Sequence, residues 1–267
     1  LSLMSANIFI GSAFAQDFSA KTDFSTGNTP YSVSFGDFNG DGKPDMVTAN
    51  YTANTFSVLM NTTTPGATTP TFSANTDFIT GTGPYAVALG DLNGDGKIDV
   101  AVADYDATSV SVFFNTTTPG ASTPTFSAKT DFTTGTNPAS VSFSDFNGDG
   151  KLDMVVANYG SNTVSVFFNT TTPGGVTPTF SAKTDFTTGT GPYYVAAGDF
   201  NSDGKQDIVT ANYDATSASV FINTTTTNAS TPTFSVKTDF TAGTNPASVA
   251  IRDLNGDGVP DLAVANY

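Results

Sequence analysis

The stretch that decides the architecture is DFNGDGKPD, running from Asp37 to Asp45. It returns as DLNGDGKID from Asp91, DFNGDGKLD from Asp145, DFNSDGKQD from Asp199 and DLNGDGVPD from Asp253, each start 54 residues after the last. The flanks keep the same register. Asp23, Asp77, Asp131, Asp185 and Asp239 stand in TDF, and Pro30, Pro84, Pro138, Pro192 and Pro246 follow further on. Self-similarity at one fixed period means one supersecondary unit stacked in tandem.

Working outward from the loop, the apolar pattern of a unit is that of short strands. Tyr31, Val33 and Phe35 alternate with small or polar residues and lead into the loop. Met46 to Ala49 form a nearly continuous apolar run, expected as a strand buried on both faces. Thr163 to Phe168 predict a third strand, Asn169 to Pro178 a Thr/Pro-rich connector, and Thr179 to Phe186 a fourth strand. No stretch carries a helical period. Four strands per unit, repeated, describe the blade of a β-propeller, whereas the coils of a β-solenoid are shorter. A fourth-type strand is expected at Phe18 to Phe24, and the chain stops at Tyr267 after a second-type strand. The expectation is therefore part of a larger propeller, incomplete at its C-terminal end.

The loops carry the chemistry. Oxygen-bearing side chains fall at positions 1, 3, 5 and 9, and position 6 is Gly, which permits a reversal that a Cβ would obstruct. The backbone carbonyl at position 7 adds a further oxygen. In order, the candidate metal ligands are Asp37, Asn39, Asp41, Lys43 and Asp45; Asp91, Asn93, Asp95, Lys97 and Asp99; Asp145, Asn147, Asp149, Lys151 and Asp153; Asp199, Asn201, Asp203, Lys205 and Asp207; and Asp253, Asn255, Asp257, Val259 and Asp261. Such oxygen-only sets suit a hard cation, and about one Ca²⁺ per repeat is expected. An EF-hand is excluded because position 12 is Thr48, Val102, Val156, Thr210 or Val264 instead of Glu, and the flanks are strands. A plain hairpin turn would explain the Gly but not three like charges in each tight loop.

Composition narrows the function. The chain has 267 residues, nine Lys plus Arg and a formal charge of −15; its 24 acidic residues are all Asp, and His, Cys and Trp are absent. That removes the Ser–His–Asp triad, thiolate nucleophiles, the usual zinc sites and Glu acid/base pairs, so no enzymatic activity is expected. The acidity disfavours nucleic acid as a partner.

Residues Leu1 to Ala15 form an apolar stretch ending Ala13-Phe14-Ala15, which reads as a partial secretory signal peptide. The repeat region is then 16–267, with no stretch apolar enough to span a bilayer. Export to the extracellular medium or cell surface is the expected localisation, where millimolar calcium fills weak sites.

A first strand ending in G-D-F/L-N-G-D-G-x-x-D, followed by an apolar strand ending A-N-Y, resembles the FG-GAP-like (VCBS-type) repeat of bacterial secreted proteins and, more distantly, integrin α-subunit propellers. The resemblance covers essentially 17–267. It implies an all-β propeller, usually seven-bladed, with Ca²⁺ in the blade hairpins on one face and ligands met on the opposite face or at blade junctions. It fixes no single activity: adhesion modules, lectins and non-catalytic parts of surface enzymes all occur. An adhesion or recognition module meeting an extracellular protein or glycan is the leading expectation, with a carbohydrate-binding lectin or an accessory domain as alternatives. Tyr31, Tyr85, Tyr193 and Tyr194, near the loops that enter each first strand, offer stacking surface or pack a strand face. Asn61, Asn115, Asn169 and Asn223 open Asn-x-Thr sequons in connectors expected to be solvated rim loops.

Overall fold

The computed structural model describes residues 21–267. The leader reading of residues 1–15 lies outside the described residues, and 21–24, the described part of the expected strand at Phe18 to Phe24, are not in a strand.

All regular structure among the described residues is β, in the order the repeat predicts. The first unit contains β1 (Pro30–Gly36), β2 (Asp45–Asn50), β3 (Thr55–Leu59) and β4 (Thr76–Ile79). The second contains β5 (Pro84–Gly90), β6 (Asp99–Asp104), β7 (Ser109–Phe113) and β8 (Thr130–Thr133). The third contains β9 (Pro138–Ser144), β10 (Asp153–Asn158), β11 (Thr163–Phe167) and β12 (Thr184–Thr187). The fourth contains β13 (Pro192–Gly198), β14 (Asp207–Asn212), β15 (Ser217–Phe221) and β16 (Thr238–Thr241), and the fifth β17 (Pro246–Arg252) and β18 (Asp261–Asn266). Each of the first four units is an antiparallel four-stranded sheet in sequence order, and the fifth is a two-stranded sheet. First strands of successive units lie against one another, β1 on β5, β5 on β9, β9 on β13 and β13 on β17, so they line the axis. No helix among the described residues is long and apolar enough to cross a membrane.

The core sits between blades. One cluster joins Ala101 and Ala103 of the second unit to Val141, Met154 and Val156 of the third. Others join Val47 and Phe56 to Val100 and Val102, Val155 and Val164 to Val195 and Ile208, and Val209 and Ala211 to Val249. β6, β10 and β14 are buried on both faces because each is sandwiched between two neighbouring blades, whereas β18 at the end of the arc is largely exposed, and each buried Val or Phe contributes about 2 kcal/mol. The arc is open. Val33 and Phe35 of β1 are each 57% exposed, while Val141 and Val195, their counterparts to Val33, are 7% and 2% exposed.

The fourth strands are shorter than expected: β12 begins at Thr184, not Thr179. Before it, Asn169 and Phe180 make only an isolated bridge. The Ser181 amide donates to the Phe168 carbonyl at 2.8 Å, but the Phe168 amide donates to the Ser181 hydroxyl at 2.9 Å. A side chain replaces a carbonyl in the ladder, and regular pairing stops there.

Candidate metal loops and the tyrosine end

Each Asp loop joins the first and second strands of its unit. Its first Asp caps the turn: Asp37 Oδ1 accepts from the Asp41 amide at 3.1 Å and Oδ2 from the Gly42 amide at 2.8 Å. The Asp41 amide also donates to Asn39 Oδ1 at 3.1 Å, so the oxygens at positions 1 and 3 converge on one N–H. Asp41 Oδ1 in turn accepts from the Lys43 amide at 3.0 Å. The same pattern recurs around Asp91, Asp145, Asp199 and Asp253. Positive φ is built in at position 6, +81° at Gly42, and at position 4, where Gly40 is at +67° and Ser202 at +60°.

The Asp at position 9 has a role that the motif alone did not disclose. Asp45, Asp99, Asp153 and Asp207 are fully buried. Asp99 Oδ2 accepts from the Leu92 amide and Oδ1 from the Asn115 amide, both at 2.8 Å. Asp45, Asp153 and Asp207 repeat both bonds with their own position-2 residue and connector Asn. Burial pushes Asp99 and Asp153 up to about 7 and raises Asp45 and Asp207, against the pull of those amide donors. Asp261 keeps the bond from Leu254, at 2.9 Å.

Among the described residues no group of three or more carboxylates is placed to hold a metal ion as it stands. The loop carboxylates are turned onto the loop's own amides. Their chemistry nevertheless fits a hard divalent cation: only oxygen donors, in alternating positions of a tight turn, on carboxylates that retain lone pairs beyond those given to N–H groups. In the first loop the side-chain counter-charge is Lys43, whose Nζ lies 3.5 Å from Asp41.

Most residues of the Thr-rich connectors are exposed, as expected of rim loops, but the second, third and fourth connectors also latch onto the preceding unit. Asn115 is 2% exposed, and its Nδ2 donates to the Phe38 carbonyl in the preceding unit at 2.9 Å. The Gly120 amide donates to the Asn39 carbonyl at 2.7 Å, and Asn39 Nδ2 returns a bond to the Ala121 carbonyl at 2.9 Å. Asn169 and Asn223 do the same toward Leu92 and Phe146. The amide nitrogens of Asn169 and Asn223 each donate twice and that of Asn115 once, all from side chains at most 2% exposed, so none has room for a glycan in the folded chain. The signal was present in the sequence as a fixed-offset Asn before each Thr run.

A polar chain also crosses each of the four four-stranded blades. Asn50 Nδ2 donates to Ser57 Oγ at 2.7 Å, and Ser57 Oγ donates to Asp77 Oδ1 at 2.6 Å, which accounts for the Asp of TDF. Lys129, Lys183 and Lys237 pair with Asp131, Asp185 and Asp239 beside it.

At the other end of the axis the tyrosines gather. Tyr31 stacks on Tyr85 at 4.7 Å, and contacts run on through Tyr51, Tyr105, Tyr159, Tyr193, Tyr213 and Tyr267. The hydroxyls of Tyr85 and Tyr193 share a hydrogen bond. Tyr194, grouped with them by sequence, points from the other face of β13 and makes no aromatic contact among the described residues, whereas the Tyr of each A-N/D-Y joins the cluster. The carboxylates of Asp106 and Asp214, as acceptors beside Tyr51 and Tyr159, push those hydroxyls up to about 12.

Comparison with known families decides the relationship. The FG-GAP-like repeat profile matches residues 5–48, 91–156, 145–210 and 199–264, and the FG-GAP repeat profile matches 29–68. The chain belongs to the FG-GAP-like repeat family. No curated protein sequence matches it. Among solved structures, a chain of the complex of BBS1N with ARL6DN, soaked with lead, aligns with a TM-score of 0.56 at 14% identity, covering 92% of this chain and 66% of that one. A functionally unknown protein from Desulfotomaculum acetoxidans DSM 771 aligns at 0.46 and 13%, covering 91% of each chain. The V. cholerae biofilm matrix protein Bap1 aligns at 0.43 and 17%, covering 90% of this FG-GAP-like chain and 35% of its own. The first of these likenesses shows a shared fold.

Proposed function

We propose that this chain is a calcium-stabilised β-propeller module for adhesion or recognition outside the cell, with no catalytic activity of its own. The observation that carries the reading is the Asp loop. Three carboxylates and an Asn occupy nine residues, the last carboxylate is buried in the first four units, and the loop is clamped to the connector of the next blade. An ion at positions 1, 3 and 5 would neutralise the loop, and through the latch it would tie blade to blade. Extracellular modules hold Ca²⁺ with dissociation constants on the order of 10⁻⁴ to 10⁻³ M, so tenfold excess would stabilise the fold by roughly 1.4 kcal/mol per site. The repetition of this device through the blades supports a structural ion, and the tyrosine end supplies a surface for recognition.

Thermal unfolding of the full chain in a calcium titration, followed by chelator, tests the proposal. A midpoint that climbs through the millimolar range and returns on chelation is expected, with a smaller climb when Asp95→Asn and Asp149→Asn are combined. A midpoint indifferent to calcium in a folded protein would overturn it.

A further inference from the structure

Eight of the nine tyrosines pack in one continuous series at the axis end of the first strands. Tyr85 is its branch point. Tyr31, 53% exposed, stacks on it at 4.7 Å and 30°, and Tyr51 and Tyr105 lie beside it at 6.2 Å and 5.3 Å. Tyr85 also meets Tyr193 at 5.8 Å and 81°, and the two hydroxyls share a hydrogen bond. That contact passes over a whole unit. Tyr85 belongs to β5 and Tyr193 to β13, 108 residues on. Between them β9 carries Ala139 at the same place in the repeat, a side chain too short to part the rings. From Tyr193 the series continues to Tyr159 and Tyr213.

We propose that Tyr85 and Tyr193 are a site of oxidative cross-linking, joined as a dityrosine that clasps the second unit to the fourth. Composition directs the oxidation. The chain has no Cys, Trp or His, and Met60 and Met154 are buried, so loss of a single electron falls on tyrosine. Tyr31 gives an oxidant in solution an exposed ring, and its stacking on Tyr85 lets the electron vacancy pass inward. Proton acceptors are at hand, since Tyr51 and Tyr159 hydrogen-bond to the carboxylates of Asp106 and Asp214. A phenol yields its electron more readily when its proton has somewhere to go. With a peroxidase and hydrogen peroxide as the oxidant, each phenol gives up one electron and its hydroxyl proton. The unpaired electron of each phenoxyl radical lies largely on the carbons ortho to oxygen, and two radicals pair as a bond between ortho carbons. The hydrogens on the joined carbons then move as protons to the oxygens, which restores both phenols. In sum two electrons and two protons leave the pair and reduce one hydrogen peroxide to two waters. Geometry selects the pair. In the product each hydroxyl stands next to the new bond and the two hydrogen-bond to each other, the approach that Tyr85 and Tyr193 already make.

The full chain, dilute enough that collisions between molecules are rare, is treated with a peroxidase and hydrogen peroxide. Dityrosine emission, a denaturing gel and mass-spectrometric peptide mapping follow the product. A monomer lighter by two hydrogens is expected, with one linked peptide pair holding Tyr85 and Tyr193. Tyr85→Phe and Tyr193→Phe each keep a ring in place and should each lower the emission of the monomer roughly tenfold, whereas Tyr194→Phe, outside the series, should leave it unchanged. The linked chain should also unfold at a higher urea concentration, because a bond across 108 residues removes loop-closure entropy from the unfolded state. Dityrosine confined to covalent dimers, or a monomer linked through any other pair of tyrosines, would overturn the proposal. So would a chain that forms none while free tyrosine in the same mixture couples. Mapping the link in the unsubstituted chain decides the matter even where a Phe variant fails to fold.

Discussion

Replacing Asp104 by Asn should stabilise the protein, and only above about pH 5. In the first, third and fourth units the last residue of the second strand is Asn50, Asn158 or Asn212, whose Nδ2 donates to the Ser hydroxyl on the third strand while that hydroxyl donates to the Asp of TDF. In the second unit the residue is Asp104, fully buried. Ser111 Oγ then lies 2.6 Å from Asp104 Oδ2 and 2.8 Å from Asp131 Oδ1, and one hydroxyl hydrogen cannot serve two carboxylates. Among the described residues Asp104 Oδ1 is buried with no hydrogen-bond partner. Burial is the main reason Asp104 is raised from 3.8 to about 6; the nearby Asp131 charge adds to it, while Ser111, the Gly81 amide and Lys129 oppose it. A carboxyl so raised gives its full contribution to stability below about pH 4 and loses it as pH climbs through about 6. At pH 8 the loss amounts to about 3 kcal/mol, at 1.36 kcal/mol per pH unit. An Asn there removes the charge and restores the donor. Urea unfolding of both proteins from pH 4 to pH 8 isolates the effect, because the Asp loops titrate alike in each and cancel in the difference. The variant should gain little at pH 4 and about 1–3 kcal/mol at pH 8, the range for relieving an unsatisfied buried group. A gain that is the same at both pH values, or a loss at pH 8, would refute the shared-hydroxyl reasoning.

Other outcomes follow from the same geometry. Ser202→Gly should raise stability by about 0.5–1 kcal/mol, seen as a small rise in Tm, because Ser202 sits at φ +60° where Gly40, Gly94 and Gly148 stand in the other loops. Asn169→Ala should cost about 2–4 kcal/mol in chemical denaturation, since it orphans the Leu92 and Leu152 carbonyls and the Thr171 amide. Gly83→Asn should destabilise, because a Cβ there meets Asp106 Oδ2 at 2.5 Å. Asp106→Gly should rescue it with a coupling of about 1 kcal/mol in a double-mutant cycle, since the third unit already pairs Asn137 with Gly160.

The repeat determined a great deal by itself. The period fixed the unit, the alternation of Tyr31, Val33 and Phe35 marked an inner strand, and the unbroken run from Met46 marked a strand covered on both sides, because side-chain direction in a strand has a period of two and leaves its trace in the sequence. The oxygen positions of the Asp loops were legible for the same reason: a short loop places its side chains by spacing. What spacing cannot express is which unit a side chain reaches. The Asn of each connector reads as a sequon or a turn until Asn115 is found against the Phe38 carbonyl, 77 residues away. Spacing shows Asp45 as an oxygen donor of its loop but not the Asn61 amide that it accepts from 16 residues on, nor that Ser111 stands between two carboxylates where Asp104 replaces the Asn of the other units. The tyrosines stand at two places in each repeat, and only the convergence of the first strands on the axis brings Tyr85 to Tyr193. Local pattern is written along one chain direction, whereas these contacts depend on how successive blades turn about the axis, and that is set by the packing between them.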